Sequence, residues 1–130
     1  MEKTSYEPET VYKSVGEYSQ GIKVKGGSLL FIAGQVALDP RGNLVGKGDI
    51  RAQAKQVFEN IKAMLESAGA AFKDVVKLGI FLTDIQDFPA VREIRKQYIN
   101  EPFPTATVLG VKSLVKKDWL IEVEAIAIVA

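Results

Sequence analysis

Two carboxylates, Glu122 and Glu124, stand in a stretch that otherwise reads as strand. Taken every second residue, Ile121, Val123, Ala125, Ala127 and Val129 make a wholly apolar face. The opposite face carries Leu120, Glu122, Glu124, Ile126 and Ile128, apolar again at its far end. Carboxylates at the margin of a buried surface need partners or a task. Two solvated charges on an edge strand are the plain alternative. The chain has no His and no Cys, so a Ser-His-Asp triad, a cysteine nucleophile and a typical zinc site are all excluded. Acid–base work must then come from Asp, Glu, Lys, Tyr or held water. Asp39, Asp84, Asp87 and Asp118 read as caps and turns, and no carboxylate spacing suggests a metal loop. Lys23, Lys25 and Lys112 read as surface charges rather than Schiff-base nucleophiles.

The elements that must position these groups follow from periodicity. The first dozen residues read as a loose arm or short edge strand, and residues 17–25 as a strand ended by the Gly26-Gly27 turn. Ser28–Ala33 is an apolar strand closed by Gly34-Gln35, and an exposed loop runs through Asp39-Pro40-Arg41-Gly42-Asn43 to Gly48. Asp49 is placed to cap a long helix whose stripe is Ile50, Ala54, Val57, Phe58, Ile61, Met64, Leu65 and Ala68, ending at Gly69. A strand over 74–82 follows. Asp84 or Asp87 then caps a second helix with Pro89 in its first turn. Phe88, Val91, Ile94, Arg95 and Tyr98 lie along one side of it, and Pro102 and Pro104 stop it. Strands over 105–112 and 119–129 close the chain around Lys116-Lys117-Asp118.

At 130 residues, with 47% hydrophobic and 25% charged residues, the expectation is one soluble domain spanning 1–130. The net charge of +1 draws neither nucleic acid nor an anionic membrane. No apolar run is long enough to span a bilayer and no leader pattern opens the chain, so a cytoplasmic protein is expected. Two helices cover only one face of a sheet of about six strands. The other face, apolar at 28–33 and 120–129, calls for a covering partner, most simply a second copy of the chain.

The sequence resembles the RidA family, also called YjgF or L-PSP. The resemblance begins at Gly16-Glu17-Tyr18-Ser19-Gln20-Gly21 and Phe31-Ile32-Ala33-Gly34-Gln35. It continues through Gln53-Ala54, Asn60-Ile61-Lys62, Ala68-Gly69, Asp74-Val75-Val76-Lys77 and Phe81-Leu82-Thr83-Asp84. Phe103-Pro104 and Ile121-Glu122-Val123-Glu124-Ala125-Ile126-Ala127 complete it. It implies a chorismate-mutase-like α+β subunit with a mixed sheet, assembled as a homotrimer around a central β-barrel, with ligand pockets between subunits. It implies hydrolysis of reactive enamines and imines such as 2-aminoacrylate, without metal or organic cofactor. Endoribonuclease and translation-inhibitor activities are also attached to the family; the absence of His and the near-zero charge give RNA cleavage little support here.

In deaminating members of the family the strand after the second helix opens Pro-Ala-Arg-Ser/Thr, and the Arg holds the substrate carboxylate through a two-pronged contact. Here the segment is Pro104-Thr105-Ala106-Thr107. By this resemblance Ala106 stands in the place of the Arg, and Val108 where a pocket Cys is common. Glu122 matches the carboxylate that orients water, Tyr18 the aromatic at the pocket mouth, and Ala33-Gly34 the segment whose backbone faces the ligand. Arg92 stands where many members have Asn. It either points into the cleft and supplies the missing charge or pairs with a neighbouring acid on the helix surface. Tyr18 is equally readable as an anchor of the subunit contact, and Glu122 as one half of an ion pair between subunits. Two functions stay open on this reading. One is a divergent deaminase of an altered enamine or imine substrate, inefficient toward 2-aminoacrylate; the other is a trimer that binds a small metabolite without chemistry.

Overall fold

A computed structural model describes residues 1–130. Strands β1 (Glu2–Tyr6) and β2 (Gly21–Lys25) form an antiparallel ribbon of their own, in register from Glu2↔Lys25 to Tyr6↔Gly21. Strands β3 (Ser28–Gln35), β4 (Val75–Leu82), β5 (Thr105–Gly110) and β6 (Ile121–Val129) form a mixed sheet in the order β3-β6-β4-β5. Helix α1 (Ile50–Ser67) connects β3 to β4, and α2 (Phe88–Arg95) connects β4 to its parallel neighbour β5. The last strand slides between β3 and β4, antiparallel to both. The result is an α+β domain in which β6 holds the sheet together.

The expected single sheet of about six strands is therefore divided into four and two. Gly26 and Gly27 both adopt φ of +79°, as the turn signal requires, but they join two sheets instead of a hairpin. The double glycine dictates a reversal of the chain; it does not dictate which edge the next strand takes. Residues 17–20 do not extend β2; they bend across the start of β5, where the Ser19 amide donates to the Pro104 carbonyl at 2.9 Å.

Helix α1 begins as its sequence predicts, with the Asp49 carboxylate accepting from the Ala52 amide at 3.1 Å. It ends before Gly69, whose φ of +74° suits only glycine without strain. Ala54, Val57, Phe58, Ile61 and Leu65 are buried against the sheet, whereas Met64 of the same predicted stripe stays exposed. Gln53 is buried in the same layer. Its amide nitrogen donates to the carbonyls of Gly46 (3.1 Å) and Asp118 (3.0 Å), and its oxygen accepts from the Leu120 amide (2.9 Å). One side chain thus ties α1 to the turn that feeds β6.

Helix α2 is shorter than its sequence suggests. Asp84 caps a single 3-10 turn over Ile85–Asp87 by accepting from the Gln86 amide at 2.9 Å, and Asp87 makes no side-chain cap. After Arg95 the chain continues in hydrogen-bonded turns to Ile99, well before the prolines. Tyr98 stops it by stacking on Phe58 at 5.4 Å between ring centroids, with Phe72 at 5.5 Å on another side. Burial and the hydrogen bond to Glu59 hold the Tyr98 hydroxyl up at about 12.

Both helices pack on one face of the sheet, made by Ile32, Leu78, Ile80, Leu82, Ile121, Val123 and Ala125. On the other face Leu29 and Phe31 are 63% and 68% exposed. An isolated soluble chain gains nothing by presenting such side chains to water.

Candidate functional site

Register decides which candidate residues can meet. Ala106 pairs with Leu78 and Leu78 with Ala125, while Val108 pairs with Ile80 and Ile80 with Val123. Ala106 and Val108 therefore lie on the helix-covered face. Glu122 pairs with Phe81 and Phe81 with Leu109, while Glu124 and Thr107 both pair with Gly79. Glu122, Glu124 and Thr107 therefore lie on the open face. The candidate residues fall into two groups on opposite sides of the sheet, and Glu122 and Ala106 do not share a cavity within one chain.

The first group lines a cavity of about 280 Å³ between β5, α2 and the bend before β2. Tyr18, Ala106, Val108 and Arg92 are all in its wall, joined by Val15, Glu17, Phe88 and Arg95. Tyr18 is set there by the Ser19–Pro104 contact next to it and by the Val15 amide, which donates to its hydroxyl at 3.3 Å. The β-branched Val108 and the small Ala106 make the floor apolar.

Arg92 lines this cavity, and it is paired there with an acid. Its Nε lies 3.0 Å from each carboxylate oxygen of Glu17 and its Nη2 lies 2.7 Å from Oε2. Lys96 reaches the other side of the same carboxylate at 3.2 Å. The hydrogen bond from Arg92 dominates, and with that from Lys96 it outweighs the desolvation of Glu17 to hold its carboxyl at about 2. The same bond raises Arg92. Much of the Arg92 charge is thus answered inside the protein.

Arg95, one position off the next turn, is not answered in this way. Sequence reasoning placed it only in the apolar stripe of α2, and that placement was the available signal: an arginine on a buried helix side has to be explained. It is 4% exposed, makes no salt bridge, and its guanidinium lies 5.6 Å from the centre of the Phe88 ring. Burial lowers its proton affinity, with Glu17 opposing through space and Arg92 adding to the shift.

The second group surrounds a bulge. Between Ile32↔Ala125 and Gln35↔Val123 strand β3 carries an extra residue, which bends Ala33-Gly34 over β6. The Glu122 carboxylate lies against Gly34: a Cβ there would come 2.0 Å from its Oε2. Glycine at 34 is thus a matter of space for a carboxylate. Gly79 does the same for Glu124, whose Oε1 would be 3.0 Å from a Cβ. No cluster of His, Cys, Asp and Glu in this structure has the arrangement of a metal site, and no helix is long and apolar enough to cross a membrane.

Known proteins share this fold and much of this sequence. Residues 9–129 match the family described as Endoribonuclease L-PSP. A RutC family protein of Pyrococcus abyssi is 47% identical over 92% of this chain and 91% of its own. The 2-iminobutanoate/2-iminopropanoate deaminase of Dermatophagoides farinae is 37% identical over 88% of each. Among solved structures, the Rid family protein YyfB of Yersinia pestis superposes with a TM-score of 0.89 at 35% identity, covering 99% of this chain and 100% of that one. Escherichia coli TdcF with bound serine superposes with a TM-score of 0.72 at 34% identity, covering 98% and 99%. The α+β domain with its mixed sheet and two helices is that of a Rid protein. The chain belongs to the RidA/YjgF/L-PSP family.

Proposed function

We propose that the protein is a divergent RidA-type deaminase, a hydrolase of a small enamine or imine metabolite, working as a homotrimer in the cytoplasm with its pocket between subunits. The observation that carries this reading is the division of the candidate residues into two half-sites. One chain presents the Tyr18–Ala106–Val108 cavity on the helix face and the Gly34–Glu122 pair on the exposed sheet face. Cyclic assembly through the open face would set the Glu122 of one subunit against the cavity of the next, and cover Leu29 and Phe31 at the same time.

In that setting Glu122 orients a water and takes its proton as the oxygen adds to the carbon of a C=N bond. Glu122 passes that proton to the nitrogen, the C–N bond breaks as the adduct's hydroxyl gives its own proton to the leaving nitrogen, and ammonia and a keto compound result. Ala33-Gly34 backbone and the hydroxyls of Tyr18 and Thr107 hold the substrate. The step asks for no metal or organic cofactor. Relatives named 2-iminobutanoate/2-iminopropanoate deaminase at 37% and 38% identity support the reaction class. With Ala106 where an arginine is expected, 2-aminoacrylate is a poor substrate.

The test supplies enzymatically generated 2-aminoacrylate and 2-iminobutanoate and follows release of the keto acid. Slow turnover of 2-aminoacrylate relative to an arginine-containing relative, abolished by Glu122→Gln, is the expected result. Turnover of 2-aminoacrylate at the relative's rate would show the substrate reading to be wrong, and release unaffected by Glu122→Gln the catalytic one. The second reading, a binding trimer without chemistry, is favoured by the apolar floor and by the Glu17–Arg92 pairing. It predicts ligand stabilisation with no conversion of any imine offered.

A further inference from the structure

We propose that Arg95 is the anion-binding group of the cavity, and that the ligand is a small carboxylate held from helix α2 instead of from strand β5. This rests on the reading above only in taking the cavity as the ligand site; it holds whether or not chemistry follows. An arginine that is 4% exposed as a residue, lies on a cavity wall and has no carboxylate partner is costly for a fold to retain, unless something it binds repays the cost. Arg95 has nothing of the kind from the protein. Glu17, the acid that acts on it, is committed to Arg92 and Lys96 through four contacts of 2.7, 3.0, 3.0 and 3.2 Å, and reaches Arg95 only through space.

The setting is built for a ligand as well. Phe88 lies beside the guanidinium and restricts it, so less freedom is lost when a carboxylate docks. Glu17 pairs with Arg92 and offsets part of its repulsion of Arg95. Arg95 shares this wall with the Arg92–Glu17 pair, and it is the cation there without an acid of its own, set among Phe88, Tyr18, Ala106 and Val108. A volume of about 280 Å³ suits a metabolite of a few carbons. Such a wall recognises a carboxylate with a short apolar tail and discriminates against its neutral counterpart. Arginine at 106 would approach the same carboxylate from the floor; at 95 it approaches from the side, so the bound acid lies along a different line.

The experiment measures binding of 2-oxobutanoate and of its neutral amide to the full chain by calorimetry and by thermal shift. The acid should bind at least about tenfold more tightly than the amide, as a charge-assisted contact does. Arg95→Gln should bind the two equally while melting no lower than the parent, since it removes a buried unpaired charge. Arg95→Lys, which keeps the charge without the fork, should retain only part of the preference. Should Arg95→Gln fail to fold, the parent's acid–amide contrast and Arg95→Lys still decide. Equal binding of acid and amide by the parent, no binding of either, or a full acid preference in Arg95→Gln would overturn the proposal. Loss of assembly in Arg95→Gln without an acid preference in the parent would do so too, by making Arg95 a structural residue. The assay contains no imine: absent turnover with the acid preference intact would remove the deaminase reading and leave this one standing.

Discussion

At the scale of single residues, the site is governed by how Arg92 and Lys96 take up the one acid, Glu17, and leave Arg95 without a partner. Glu17 is held at about 2 against an ordinary 4.5, chiefly by Arg92. A carboxyl depressed on folding stabilises the protein above its unfolded value and loses that contribution as pH falls from 4.5 through about 2. Glu17→Gln should therefore flatten the pH dependence of the melting temperature across that window and lower the melting temperature near neutrality, where the contribution is fully present. Ala106→Arg brings a further guanidinium into a cavity already lined by Arg92 and Arg95. It should lower the melting temperature, and Arg95→Gln in the same chain should restore it, a non-additivity read directly from a double-mutant cycle. Gly34→Ala has no room beside Oε2 of Glu122. Turnover in that variant should fall as far as in Glu122→Gln, because both substitutions remove the same carboxylate from its place.

Elements carry those residues, and α1 is the one whose attachment is most exposed to test. The Asp49 cap should be worth about 1 kcal/mol, read as the loss on Asp49→Ala in denaturant melts. Gln53→Leu should cost more, on the order of 1–3 kcal/mol for each buried group it leaves unpaired. It strips partners from the Leu120 amide and from the carbonyls of Gly46 and Asp118, loosening the turn that delivers β6 to the centre of the sheet. The α1 boundaries were legible in the sequence because a cap, a stripe and a glycine agree on them. Those of α2 were not, because Tyr98 continues the apolar spacing yet packs on Phe58 and Phe72 outside the helix.

At the scale of the whole molecule, the exposed sheet face with Leu29 and Phe31 is the surface the proposed assembly would cover. Phe31→Asp keeps the helix-covered core intact, since Phe31 points away from it. Far-UV circular dichroism should be unchanged, while sedimentation should shift from an oligomer to a monomer. With the half-sites separated, activity that depends on Glu122 should disappear together with the oligomer. A monomeric variant with full turnover would show that the two faces do not work as one site.

The alternation in β6, the α1 stripe and the apolar residues on both sheet faces were determined by local periodicity, and that was enough for two helices on one face of a sheet with the other left to cover; the α+β class came with the family resemblance. The candidate residues Tyr18, Arg92, Ala106 and Val108 were legible through resemblance, and they do meet in one cavity. Sequence spacing carried no information on strand register or on which strands pair. Only the tertiary structure placed Glu122 and Ala106 on opposite faces, divided the strands into four and two, and turned Glu17 onto Arg92. It also left Arg95 buried without an acid. These outcomes depend on contacts between residues far apart in the chain, where one-residue differences in pairing reverse a side chain's face.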